Sequence, residues 1–114
     1  MSLSAYAQAR SAAESPRASE YRLMAEVTGA LALAQTQAMR GEALVQALDA
    51  NRRLWSALAF DCSQEDNALP QNLRAQIISL GLWVSRYASE VARGTGDIDD
   101  LIAVNRSVME GLAG

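Results

Sequence analysis

The sequence predicts an all-α fold, an up-down antiparallel bundle of four main helices preceded by a short N-terminal helix. Three observations carry that reading. Apolar residues recur three and four positions apart through four long stretches, which is the signature of a single buried helix face. Pro16, Gly41, Pro70 and the Gly94-Thr95-Gly96 run divide those stretches from one another. No apolar–polar alternation of the β type persists for more than a few residues. The chain has 114 residues, half of them apolar, which suits one domain with a modest core spanning 1–114.

The N-terminal element is the weakest. A short helix is expected from about Ser4 to Ala13, but its apolar content is little more than Leu3, Tyr6 and alanines. Residues 1–15 are therefore weakly anchored on their own. Ser15-Pro16 then reads as an N-cap followed by proline at the first helical position, where the missing N–H removes nothing. The first long helix runs from there to about Arg40, carries Met24, Val27, Leu31, Ala34 and Ala38, and is broken by Gly41.

A second helix is expected from about Glu42 to Asp61. Leu44, Leu48, Asn51, Trp55, Leu58 and Cys62 make one seam, interrupted by a single amide. The polar run from Cys62 to Asn67 is a loop, and Pro70 opens the third helix with Asn67 or Leu69 near its cap. Its seam is Leu73, Ile77, Leu80, Val84, Tyr87 and Val91, widened by Ile78, Leu82 and Trp83. After Gly94-Thr95-Gly96 comes a last helix, capped by Asp97, with Asp99 and Asp100 where carboxylates favour the helix dipole. Its seam is Ile98, Leu101, Asn105, Val108 and Leu112. Helices of this size are roughly 25–35 Å long, and short connections favour antiparallel neighbours.

Composition removes several classes of function. The net charge is −3, and the ten basic residues are all arginines without a basic stripe, which argues against direct nucleic-acid binding. Histidine is absent, and with it the usual general base and the commonest metal ligand. Cys62 is the single cysteine, so no internal disulfide forms. No basic-then-apolar leader and no apolar run of membrane-spanning length is present, so a cytoplasmic protein is expected. No catalytic or phosphate-cradling motif occurs, and the chain is expected to be neither an enzyme nor a cofactor protein.

The residues that could carry chemistry are few. The Asp97–Asp100 cluster lacks the calcium-loop pattern and is accounted for by helix capping. Cys62 has no histidine or close cationic partner and reads as a buried thiol. Asn51 and Asn105 each place an amide on an apolar seam, and register-setting is the best-attested use of such residues. Trp55 lies on its seam and reads as core. Trp83 lies off the Leu73–Val91 seam, on the side of Gln76, Ser79 and Glu90, and is the better interface candidate. The candidate protein-binding residues are Trp83, Tyr87, Arg52, Arg53 and Met109, and no catalytic or metal-binding residue is expected.

Several strings also carry a family likeness. Ser19-Glu20-Tyr21-Arg22-Leu23-Met24 is followed by Asn51-Arg52-Arg53-Leu54-Trp55 and Asn67-Ala68-Leu69-Pro70. Then come Ile77-Ile78-Ser79-Leu80, Leu82-Trp83-Val84 and Val104-Asn105-Arg106-Ser107-Val108-Met109. In this order and at these spacings the chain resembles the alphaproteobacterial FlaF family of flagellar biosynthesis regulators over about residues 19–112. The resemblance implies a cytosolic export chaperone that binds flagellin and promotes its synthesis and secretion. It implies FlbT, which restrains flagellin mRNA translation, as a further partner. The alternative is an adaptor acting through FlbT on translation without stable flagellin binding. A homodimer through the heptad seams is a third possibility for the chain's own association.

Overall fold

Ser15 starts the described chain's first helix as its sequence requires: its side-chain oxygen accepts from the Ala18 N–H at 3.1 Å, with Pro16 directly behind it. The computed structural model describes residues 14–114, so the short helix expected at Ser4–Ala13 lies outside the described residues. Four helices follow in order: α1 (Pro16–Thr36), α2 (Gly41–Cys62), α3 (Gln71–Ala92) and α4 (Ile98–Ala113). Among the described residues there is no strand.

The ends of α1 and α3 are built alike. At the end of α3 the Thr95 N–H reaches back to the Glu90 carbonyl at 2.9 Å, and the Gly94 N–H to Val91. That pairing requires a left-handed residue, which Gly94 supplies at φ 81°. At the end of α1 the Met39 N–H reaches the Ala34 carbonyl at 2.9 Å, and here the left-handed residue is Ala38, at φ 48°. The first helix therefore stops at Thr36 rather than near Arg40. Gly41, expected as the breaker, is the first residue of α2, and Arg40 holds the N-cap position.

Each helix packs on its neighbours in the chain, and α1 also packs on α4, closing a ring of four. The core fills that ring. Met24, Leu31, Trp55, Ile77, Val84, Leu101 and Val108 are fully buried, with Leu48, Leu58, Cys62, Ile102 and Leu112 close behind. Most expected seam positions are buried in α2 and α4, whereas α3 differs in an instructive way. Its buried stripe is Leu73, Ile77, Gly81, Val84, Ala88 and Val91, so Gly81 and Ala88 take the places expected for Leu80 and Tyr87. A Cβ added at Gly81 would lie 3.2 Å from the Ala59 Cβ of α2, so α2 and α3 meet closely through small residues. Leu80 and Tyr87 consequently sit half-buried at the flanks.

A polar network occupies the middle of this core. Asn105 on α4 accepts from the Trp55 Nε1–H at 2.8 Å and donates to Thr28 Oγ1 at 3.0 Å and to Asn51 Oδ1 at 2.7 Å. The Thr28 hydroxyl in turn donates to the Met24 carbonyl at 2.7 Å. Both amides are fully buried. The expectation that they set register acquires a concrete form: three helices are tied at one level, and only the Asn51 Nδ2 lacks a partner.

Candidate functional site

With 3.6 residues per turn, the positions opposite the buried stripe of α3 are Ser79, Leu82, Trp83, Arg86, Glu90 and Arg93. Those residues line a surface depression of about 710 Å³, together with Tyr87 and Ser89. Leu82, expected to widen the core face, is instead 62 % exposed on this outer face. The reason is angular: the close approach at Gly81 turns α3 so that its next residue points away from α2.

Trp83 and Tyr87 form the floor of the site. Their rings stack with centroids 4.6 Å apart and planes within 15°. The Tyr87 hydroxyl accepts from the Asp97 N–H at 2.9 Å and donates to the Asp100 carboxylate, which pushes the phenol above its ordinary pKa. Gly96 is needed for that geometry, since a Cβ there would lie 3.1 Å from the Tyr87 ring. The tyrosine thus fastens the end of α3 to the start of α4, and the tryptophan is held on a fixed ring rather than a mobile one. Asp97 caps α4 through the Asp99 N–H at 2.9 Å, while the Asp99 carboxylate accepts from Gln35. The acidic cluster is used in capping and bracing.

The five residues singled out from the sequence divide into three groups. Trp83 and Tyr87 lie together in the depression. Arg52 lies beside it: it pairs with Asp49 at 2.8 Å and lines a smaller pocket at the α2–α3 seam that shares Ser89 with the larger one. Arg53 pairs with the other oxygen of Asp49 at 2.8 Å but lines neither pocket, and it is largely exposed. The hydrogen bond from Arg52, with both guanidiniums near, holds the Asp49 carboxyl below its ordinary range. Met109 is elsewhere: its sulfur lies 3.8 Å from Thr28 Oγ1, at the α1–α4 contact.

Arg86, Glu90, Arg93 and Leu82 were not singled out by sequence reasoning. The signal that finds them is the helical wheel of α3, once Gly81 and Ala88 are accepted as buried positions. Among the described residues the ion pairs are made by Arg22, Arg52 and Arg53, and Arg86, Glu90 and Arg93 belong to none. Cys62 is buried, and burial raises its thiol pKa, which leaves it inert. The outer face of α3 offers aromatic and aliphatic surface interspersed with charged groups, an arrangement suited to holding another protein segment.

No helix among the described residues is long and apolar enough to cross a membrane. No curated protein and no solved structure matches the chain. The family model described as "Flagellar protein FlaF" matches residues 2–112, nearly the whole length. The chain belongs to the FlaF family and is a flagellar protein.

Proposed function

We propose that this chain is a cytoplasmic chaperone of flagellin, holding the subunit for export and thereby promoting its synthesis and secretion. The observation that supports it is the braced, half-buried Trp83–Tyr87 stack lining the depression beside the exposed Leu82, on a helix whose opposite side forms the core. An aromatic anchor on a rigid helix, with arginine at the rim, is the usual composition of a binding hot spot. We read the ring of helices as an up-down bundle, in which the depression along the outer face of α3 gives a partner helix a place to lie.

Flagellin subunits polymerise through helical terminal segments, so a free subunit in the cytosol is exposed to premature assembly. A segment laid along α3 by its apolar face would be withheld from that assembly, in the helix-in-groove mode. Flagellin synthesis would rise as free subunits are removed. FlbT fits this scheme as a second partner, and the adaptor reading makes it the principal one.

Calorimetric titration with cognate monomeric flagellin, full-length and with either helical terminus deleted, tests the proposal. Saturable binding that disappears with one terminus supports it and locates the segment. No heat at micromolar concentrations with flagellin, together with binding to FlbT, replaces it by the adaptor reading.

A further inference from the structure

The charged groups on the outer face of α3 are arranged so that the face complements itself. Arg86 and Glu90 lie two residues either side of position 88, and Trp83 and Arg93 lie five either side. When two copies of one helix pack antiparallel about a two-fold axis, residues equidistant from that axis face each other across the contact. An axis crossing α3 at the level of residue 88 therefore brings Arg86 opposite the partner's Glu90, and Glu90 opposite the partner's Arg86. It also brings each Trp83 ring opposite the partner's Arg93 guanidinium, a cation–π pair repeated twice.

Each of these groups is available. Arg86, Glu90 and Arg93 are exposed, and none is engaged in an ion pair among the described residues. Trp83, half-buried and stacked on Tyr87, lines the depression. Most positions of the heptad seams are buried within the chain, which leaves little of them for association.

We infer that the outer face of α3 binds a second copy of this chain, antiparallel and two-fold, with reciprocal Arg86–Glu90 pairs flanked by Trp83–Arg93 contacts. The contact is small and its ion pairs lie nearest the axis, so the dimer is weak and sensitive to salt. If the flagellin reading holds, dimer and flagellin complex use the same surface and exclude each other. The dimer itself does not depend on that reading.

Sedimentation equilibrium over a concentration series, at low and high salt, supplies the test. The wild type is expected to approach twice its 12.2 kDa mass at the highest concentrations. Arg86→Glu and Glu90→Arg alone are each expected to weaken association at least about tenfold, with circular dichroism checking that the fold is kept. An equimolar mixture of the two is expected to associate again, because two carboxylates on one copy then face two guanidiniums on the other. The double variant R86E/E90R is likewise expected to recover. A wild type that stays monomeric throughout overturns the inference. So does a dimer that neither single variant weakens, or single variants that fail to complement each other. Flagellin titration reads a different partner, so failure of the dimer leaves the chaperone proposal standing, and the reverse.

Discussion

Asn105 donates an amide hydrogen to Asn51 Oδ1 at 2.7 Å, joining α4 to α2 across the ring from opposite sides. The two amides are not equivalent. Asn105 uses its oxygen and both hydrogens, on Trp55, Thr28 and Asn51, whereas Asn51 leaves its Nδ2 without a partner. Removing Asn105 orphans the buried Trp55 N–H and the Asn51 oxygen together. Asn105→Ala is therefore expected to destabilise by about 3 kcal/mol or more, and Asn51→Ala by about 1–2 kcal/mol, in urea unfolding. Equal losses from the two would contradict the network's asymmetry.

The same pair of residue types predicts opposite substitutions at two positions of α1 and its cap. Gly29 is exposed inside the helix with nothing within 4 Å of an added Cβ, so Gly29→Ala is expected to stabilise by about 1 kcal/mol. Ala38 holds a left-handed conformation at φ 48°, so Ala38→Gly is expected to stabilise by roughly 1 kcal/mol. Gly81→Ala shares the propensity gain of Gly29→Ala but meets Ala59 at 3.2 Å. It is expected to be at least about 1 kcal/mol less favourable than Gly29→Ala by thermal unfolding.

Glu20 predicts a pH dependence. Burial first, and the nearby Asp61 carboxylate second, raise its pKa above the ordinary 4.5, while Arg17 opposes the shift. Its Oε2 has no hydrogen-bond partner. The folded state thus binds the proton more tightly than the unfolded chain. The stability this gives is complete below the unfolded pKa and is lost as pH rises through the folded one. Glu20→Gln is expected to lose nothing over that interval, so its advantage over wild type in urea midpoint grows from pH 4 to pH 7. An advantage that shrinks over the same range would be the wrong sign.

Much of this fold was legible because the signals are local. The Ser15 and Asp97 caps, the Gly94 turn and the α2 seam from Leu48 to Cys62 each follow from residues within a turn or two of one another. The stripe of α3 was misjudged because Gly81 and Ala88 carry almost no hydrophobic signal. What buries them is the approach of α2, which no local pattern contains. Thr28 replaced Val27 as the buried position for a related reason: its hydroxyl is claimed by Met24 and Asn105. The amides of Asn51 and Asn105 were conspicuous singly, but their pairing spans 54 residues and needs the fold. Trp83 could be selected as an interface candidate from spacing and chemistry, whereas spacing placed Tyr87 on the core seam and only its chemistry made it a candidate. Arg53 and Met109 were grouped with them by chemistry alone, and the fold puts them elsewhere.

Cys62 provides a check on the tightness of the α2 end. It is 1 % exposed, and burial raises its thiol pKa. Reaction with a disulfide reagent at neutral pH is expected to be orders of magnitude slower in the native protein than in urea. Comparable rates would place an opening in the core at the end of α2.

Whether the outer face of α3 holds flagellin is tested most directly by calorimetric titration of cognate monomeric flagellin against wild type, Trp83→Ala and Met109→Ala. Trp83→Ala is expected to weaken binding by about 2 kcal/mol, roughly thirtyfold, with Met109→Ala close to wild type. Undiminished binding by a folded Trp83→Ala variant, or a larger loss from Met109→Ala, would move the flagellin site off α3.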